Sequence, residues 1–165
     1  MDFSIREYAP TDSLDEITEL LHRAYASLAA RGMRFVASHQ GVATTKARIE
    51  SGHCLIAAVD NKVVGTITFY TEPFASKCAY YNRAGTARFG QFAVEPSLQG
   101  SGLGRQLLAK AEALAKSKGA TEMSLDTAET ADHLIKFYER CGYSAVDTVD
   151  WDATNYVSVV MAKPL

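Results

Sequence analysis

Three glycines, Gly100, Gly102 and Gly104, alternate with other residues between an apolar run and a helical pattern. Glycine inside or beside regular structure costs roughly 0.5–1 kcal/mol relative to alanine, so three of them need a compensating reason. A glycine-rich loop that leads into a helix exposes backbone N–H groups without intrahelical partners, and the helix dipole adds partial positive charge there. The segment is therefore predicted to bind an anion such as a phosphate or pyrophosphate. A tight strand-to-helix turn is the alternative interpretation.

The spacing of these glycines excludes two common phosphate-binding loops. A Walker A loop requires a Gly-Lys pair, but Gly104 is followed by Arg105. A dinucleotide fingerprint requires G-x-G-x-x-G, and neither register of this loop places a glycine at the last position. If the loop binds a phosphate, the spacing therefore points to a different phosphate compound.

The elements around the loop follow from hydrophobic periodicity and capping signals. Strands are predicted over residues 3–10, 54–70 (a hairpin that turns at Asp60 and Asn61), 87–94, 122–127, 144–151 and 155–165, and helices over 11–32, 44–52, 103–119 and 132–142. The hairpin favours antiparallel pairing, whereas the strand-loop-helix-strand unit at 87–126 favours a right-handed parallel crossover. We expect an α/β (α+β) fold with one domain over residues 1–165. Its mixed, mostly antiparallel sheet should have about seven strands and helices on both faces.

Composition excludes several function classes. The 165 residues carry a formal net charge of −2, which gives no electrostatic argument for binding nucleic acid or an anionic membrane. The apolar runs are too short to span a bilayer, and the N-terminal residues lack the apolar region of a signal peptide. The three cysteines have neither metal-ligand spacing nor even number. We expect a cytoplasmic protein with reduced thiols and no metal.

The residues Gln99 to Gly104 match the Q/R-x-x-G-x-G/A signature of the GCN5-related N-acetyltransferase (GNAT) superfamily. The segment "LIKFYERCGYSAV" also resembles the late helix of that family, through Tyr138, Gly142 and Tyr143. The resemblance extends over roughly residues 3–162, and the predicted element order is similar to that of the family.

The resemblance implies that acetyl-CoA is the cofactor. Its pyrophosphate would lie on the backbone amides of residues 99–104. The strand before the loop would splay away from its parallel neighbour and pair with the pantetheine arm. The cofactor-binding residues expected from this resemblance are Phe92, Ala93, Val94, Gln99, Gly100, Ser101, Gly102, Leu103, Gly104 and Arg105.

The resemblance also implies an acetyl transfer to an amine in which Tyr138 protonates the leaving sulfur. A buried core aromatic is the alternative interpretation of Tyr138. No general base is assigned, because Gln91 lies where some relatives carry a glutamate. The candidates for the base that remain open are a water bound to Glu95, the side chains of Glu72 and His39, and a tyrosine of residues 71–86. Where the family often has asparagine seven residues before the tyrosine, this chain has Ala131.

Two irregular stretches, residues 29–43 and 71–86, are candidate substrate loops. The aromatic residues Phe74, Tyr80 and Tyr81 are predicted to face a substrate, with capping of the sheet edge as the alternative. Phe35 is predicted to contact a substrate carboxylate or the CoA, with a solvated loop as the alternative. The predicted function is acetyl transfer from acetyl-CoA to a primary amine, on a small molecule or a peptide, by direct attack in a ternary complex. A non-catalytic CoA-binding or acyl-CoA-binding module of the same fold is the alternative. The C-terminal strands could pair across a homodimer or close the monomer's own sheet.

Overall fold

The computed structural model describes residues 3–72 and 76–165, so the expectation for Phe74 lies outside the described residues. The helices are α1 (Leu14–Ala30), α2 (Val42–Glu50), α3 (Leu103–Ser117) and α4 (Asp132–Arg140). The strands are β1 (Ser4–Glu7), β2 (His53–Val59), β3 (Lys62–Tyr70), β4 (Thr86–Val94), β5 (Glu122–Ala128), β6 (Ser144–Asp150) and β7 (Val157–Pro164). This order confirms the predicted one, although α2 begins and ends two residues earlier than expected.

Seven strands form one mixed sheet in the order β1-β2-β3-β4-β5-β7-β6. The pair β4–β5 is parallel and the other five pairs are antiparallel, as the sequence predicts. The β2–β3 hairpin turns at Asp60 and Asn61, whose φ angles of 48° and 65° are those of a type I′ turn. The β4–β5 crossover runs through α3, so the chain between these strands carries both the loop and its helix.

The two parallel strands separate soon after they meet. Pairing between β4 and β5 covers Thr86–Arg88 against 122–124 and stops there, although β4 continues to Val94. The register of β3 against β4 shifts between Thr66 and Thr68, and Gln91 opposite this shift has a φ of +46°. This is a β-bulge, which bends a strand and ends regular pairing. The predicted splay is therefore present, and it leaves the last part of β4 with an open edge.

Each face of the sheet is covered by its own pair of helices. Leu107 and Leu108 of α3 and Tyr138 of α4 pack with Phe69 and Phe89 of the sheet in one buried cluster. On the opposite face, Ile17, Leu20 and Leu21 of α1 and Ile49 of α2 pack over β2 and β3. We call this second side the α1/α2 face. Within the described ranges, no helix is both long and apolar enough to cross a bilayer.

Candidate active site

A cavity of about 440 Å³ lies where β4 and β5 separate. Its walls come from α1, the end of β4, residues 98–105 and α4. The lining residues are Ala24, Tyr25, Ser27, Leu28, Phe92, Ala93, Val94, Leu98, Gln99, Gly100, Gly102, Gly104, Arg105, His133, Leu134, Phe137, Tyr138 and Arg140. Eight of the ten residues expected to bind a cofactor therefore border one cavity, together with the expected acid Tyr138.

The backbone of the glycine loop (residues 99–104) explains two of its glycines. Gly100 and Gly102 have φ angles of +84° and +90°, which side chains other than glycine rarely adopt. A Cβ atom added to either would meet nothing within 4 Å, so both positions border open space. Gly104 differs, because its Cβ would make ordinary contacts of 3.6–3.7 Å with Phe92, Phe137 and Val94. The loop therefore forms an open cradle rather than a crowded turn.

The amides of this cradle are available to a ligand. In the described part of the chain, the N–H groups of Gly102, Gly104 and Arg105 have no acceptor, and that of Leu103 reaches the Ser101 hydroxyl at 3.4 Å. They belong to the first turn of α3, where the helix dipole is positive. Several convergent donors beside an exposed Arg105 fit a doubly charged phosphate group. The side chain of Leu103 is buried in the core, and neither Leu103 nor Ser101 borders the cavity.

The open edge of β4 offers further backbone groups to the gap. The Glu95 N–H donates to the Val64 carbonyl of β3 at 2.8 Å. Since amide directions alternate along a strand, the Val94 N–H points away from β3 towards the missing β5 partner. The hydroxyl of Tyr25 on α1 donates to the Phe92 carbonyl at 3.0 Å. Helix α1 thus supports the splayed segment, a contact that sequence periodicity did not reveal.

The ring of Tyr138 is buried, with 7% of the residue exposed, between the aromatic rings of Phe89, Phe137 and Tyr143. The ring belongs to the core and the residue also borders the cavity, while the role of Tyr138 as the acid stays a prediction. Among the residues described, none forms a hydrogen bond with its hydroxyl. Burial raises the pKa of Tyr138 well above its ordinary value, so the phenol is protonated at neutral pH.

The carboxylate of Asp126 is a feature that sequence reasoning missed. Asp126 lies two residues beyond Ser124, the last β5 residue paired with β4. Its two oxygens accept hydrogen bonds from the Tyr81 hydroxyl at 2.6 Å and the Trp151 indole N–H at 2.8 Å. Its negative charge contributes to raising the pKa values of Tyr25 and Tyr138, although burial is the larger cause for both. The Asp126 carboxylate is therefore held in a fixed position beside the gap between β4 and β5.

A polar network supports the bulge in β4 from the α1/α2 face. The Gln40 amide donates to Gln91 at 2.6 Å, and Arg48 donates to the Gln40 carbonyl oxygen at 2.8 Å. Gln91 also donates to Thr68 at 3.3 Å and is 2% exposed. Gln91, which lies where some relatives carry a glutamate, is therefore a buried residue whose hydrogen bonds stabilise the bulge.

The other predicted substrate residues lie apart from one another. Phe35 packs between the rings of Tyr25 and Tyr156, with centroid distances of 5.3 and 4.9 Å. Tyr80 lies beneath the guanidinium of Arg83, whereas Tyr81 is buried and holds Asp126. A role for these three in binding substrate stays a prediction.

The structure also shows where the candidate bases lie and where Ala131, which replaces the asparagine common in the family, is found. Glu95 pairs with Arg23 at 2.9 Å, and His39 is exposed on the surface with its Nδ1 near Ser38. Glu72 is exposed just after β3. Ala131 is fully buried at the N-cap of α4, against Leu28 and other apolar side chains. The packing there suits a small apolar residue.

Residues 14–143 match the family described as the Acetyltransferase (GNAT) family, and the chain belongs to that family. It is an acetyltransferase, and its cofactor is acetyl-CoA. The S-(2-succino)cysteine N-acetyltransferase of Bacillus subtilis (strain 168) is 29% identical to it over 153 residues, which are 92% of this chain and 90% of that protein.

Two solved structures have the same fold. The PaiA N-acetyltransferase from Thermoplasma acidophilum in complex with coenzyme A superposes with a TM-score of 0.76 at 19% identity, and 100% of each chain is covered. The ribosomal-protein-S18-alanine N-acetyltransferase from Escherichia coli gives a TM-score of 0.74 at 18% identity, covering 99% of this chain and 94% of that one. The architecture is therefore similar to those of enzymes that differ in sequence.

Proposed function

We propose that this acetyltransferase moves the acetyl group of acetyl-CoA to a primary amine, with both compounds bound at once and the amine attacking directly. The observation that carries the proposal is the continuous cavity that joins the glycine loop, the open edge of β4 and Tyr138. One end offers phosphate-binding amides and the other offers a proton donor. Because a single cleft contains both, a covalent acetyl-enzyme is not needed.

Acetyl-CoA supplies the activated acetyl thioester. The amides of Gly102, Gly104 and Arg105 hold its pyrophosphate, and the guanidinium of Arg105 adds a charge-assisted contact. The open N–H of Val94 is available to pair with the pantetheine arm or to polarise the thioester carbonyl. Fixed backbone donors perform this task well because they need no reorganisation during the reaction.

Tyr138 donates the proton that the leaving sulfur needs. Its residue borders the cavity, and its hydroxyl is not engaged with the described residues. A phenol whose pKa is raised keeps its proton at neutral pH, which an acid requires before the reaction.

Asp126 attracts the amine end of the acceptor. The hydrogen bonds from the Tyr81 hydroxyl and the Trp151 indole N–H each go to one carboxylate oxygen and hold the side chain in place. A protonated amine approaching the gap is therefore drawn to it electrostatically and loses its proton to water. Asp126 acts as a positioning residue in this scheme.

A small-molecule acceptor is favoured over a peptide. The Bacillus subtilis relative acts on S-(2-succino)cysteine, a modified amino acid, and the two proteins align over nearly their whole lengths. The E. coli enzyme, named as a ribosomal-protein-S18-alanine N-acetyltransferase, shares the fold at 18% identity, which is too distant to indicate an acceptor.

The test is acetyl-CoA-dependent release of free thiol by the purified protein against a panel of small primary amines and short peptides. The proposal predicts turnover of at least one amine and formation of its N-acetyl product by mass spectrometry. Binding of acetyl-CoA without turnover of any panel member would contradict it and indicate the non-catalytic CoA-binding module instead. Tyr8→Phe is the control variant, because Tyr8 lies beyond β1 at the far edge of the sheet.

A further inference from the structure

Two arginines are directed to the same part of the α1/α2 face. Arg48 comes from α2, and Arg88 comes from β4 at its last position paired with β5. A Cβ atom added to Gly90 would lie 2.7 Å from the Nη2 atom of Arg48, so this guanidinium fills the space above Gly90. Gly90 and Arg88 are two residues apart on one strand and therefore share a face. Two cationic groups thus lie beside the gap in the sheet.

The guanidinium of Arg48 is held by neutral groups. Its Nη1 atom donates to the Gln40 side-chain oxygen at 2.8 Å, and Gln40 is fixed by Gln91 and Thr45. Over residues 3–72 and 76–165, no carboxylate lies within ion-pair distance of Arg48. A half-buried cation held in this way retains donors and charge for an anionic partner.

Arg88 has its guanidinium 4.4 Å from the ring centroid of Tyr70 and 6.0 Å from that of Tyr81. Burial lowers the pKa of Arg88 and the positive charge of Arg48 acts in the same direction, whereas Tyr70, Tyr81 and Asp126 act to raise it. Arg88 therefore places a second positive charge near Arg48.

This site lies beside the gap that an acceptor must reach. Arg88 is the last residue of β4 that pairs with β5, and Gly90 follows it at the start of the splayed segment. The end of the gap near Val94 borders the glycine loop. An acceptor whose amine reaches the splayed segment of β4 therefore has Arg48 and Arg88 near it on the α1/α2 face.

We propose that Arg48, with Arg88 beside it, binds a carboxylate group of the acceptor. The proposal rests on the proposed function and narrows its substrate class to amino acids whose side chain carries a carboxylate. Gly90 precedes Phe92 by two residues with the bulge at Gln91 between them, so the two positions are separated by at most about 7 Å of strand. The carboxylate bound above Gly90 is thus separated from the reacting amine by several bonds, as in an amino acid with an acidic side chain.

Trp151 makes binding measurable without turnover. It is the single tryptophan of the chain, it donates to Asp126, and its ring stacks on Tyr81 at 6.3 Å. Its fluorescence therefore reports on the cleft. The protein is saturated with CoA, which carries no acetyl group, and titrated at millimolar concentrations with L-glutamate, L-glutamine, L-aspartate and L-asparagine. Each acid and its amide have nearly the same shape and the same α-carboxylate, and they differ in the side-chain carboxylate alone.

We expect the acids to bind more tightly than their amides, and Arg48→Gln to weaken acid binding by about ten- to a hundredfold and abolish the preference. Lys46→Gln is the matched control on α2, because Lys46 is exposed and pairs with Glu50 at 3.8 Å. Its titration should match that of the wild type. Equal binding of acids and amides, no binding of either acid, or an unchanged preference in Arg48→Gln would each overturn the proposal.

The same samples then receive acetyl-CoA, and thiol release is recorded. Arg48-dependent binding of an acid without release would support the carboxylate site and contradict the proposed transfer. Turnover of amines regardless of Arg48 would support the transfer and contradict the carboxylate site. The two proposals can therefore fail separately.

Discussion

The glycine loop and the α1/α2 face border the same gap in the sheet, but they are built differently. The loop is a continuous segment in which backbone amides and positive φ angles offer an anion site. The α1/α2 face collects Arg48, Arg88 and Asp126 from α2, β4 and β5. A site made of consecutive backbone groups leaves a pattern in the sequence, whereas one made of dispersed side chains does not.

The largest effect is expected from Tyr138→Phe, which separates the transfer step from both binding regions. Removal of the hydroxyl should lower kcat by about a hundredfold, in the range typical for loss of a general acid. The KM for acetyl-CoA should stay within a fewfold of the wild type, because the phenyl ring still fills its place in the core. Steady-state thiol release with an accepted amine measures both constants.

Retention of near wild-type kcat in Tyr138→Phe would mean that the residue is a core aromatic alone. The pH profile gives a second check. Because burial raises the pKa of Tyr138, its protonated form persists as pH rises. The wild-type kcat should therefore show no alkaline fall from this group below pH about 10, the ordinary pKa of a phenol.

An intermediate effect is expected from Asp126→Asn, which tests the α1/α2 face. The substitution keeps the shape of the side chain and removes its charge, so the KM for the amine should rise about tenfold, as for loss of a charge-assisted contact. The KM for acetyl-CoA should not change. A rise in the KM for acetyl-CoA instead would show that the two regions are not separate. Asp147→Asn, on the exposed strand β6, is the matched control.

The smallest effect is expected from Gly104→Ala, which tests how the loop uses its glycines. An added methyl group makes ordinary contacts of 3.6–3.7 Å, and the backbone does not have a positive φ. The affinity for acetyl-CoA should change less than about threefold, whereas Gly102→Ala, at φ +90°, strains the backbone by about 1 kcal/mol. Calorimetric titration and thermal unfolding of both variants measure these differences. A larger loss of affinity in Gly104→Ala than in Gly102→Ala would contradict the assignment.

The fold and the cofactor end of the site follow from the sequence for physical reasons. Helical stripes, the Asp60–Asn61 turn and the glycine loop are local signals, and each is confirmed as a structural element. The hydrogen bond from Tyr25 to Phe92 joins residues that are 67 positions apart in the sequence. The hydrogen bonds from Tyr81 and Trp151 to Asp126 join residues that are 45 and 25 positions apart. Such pairs depend on how the sheet assembles. In the sequence, Tyr25 is only one member of an apolar helical stripe and Asp126 is only one polar residue of a strand, so neither contact could be predicted.

The most direct test is calorimetric titration of acetyl-CoA into the wild type, Gly102→Glu and Gly119→Glu. Gly119 is a matched control, because it has a φ of +93°, an added Cβ atom would meet nothing within 4 Å, and it follows the opposite end of α3. The account predicts binding by the wild type and by Gly119→Glu. In Gly102→Glu, a carboxylate beside the amides should weaken binding by at least about tenfold. Equal affinity in both variants, or no binding by the wild type, would contradict the claim that the glycine loop holds the cofactor.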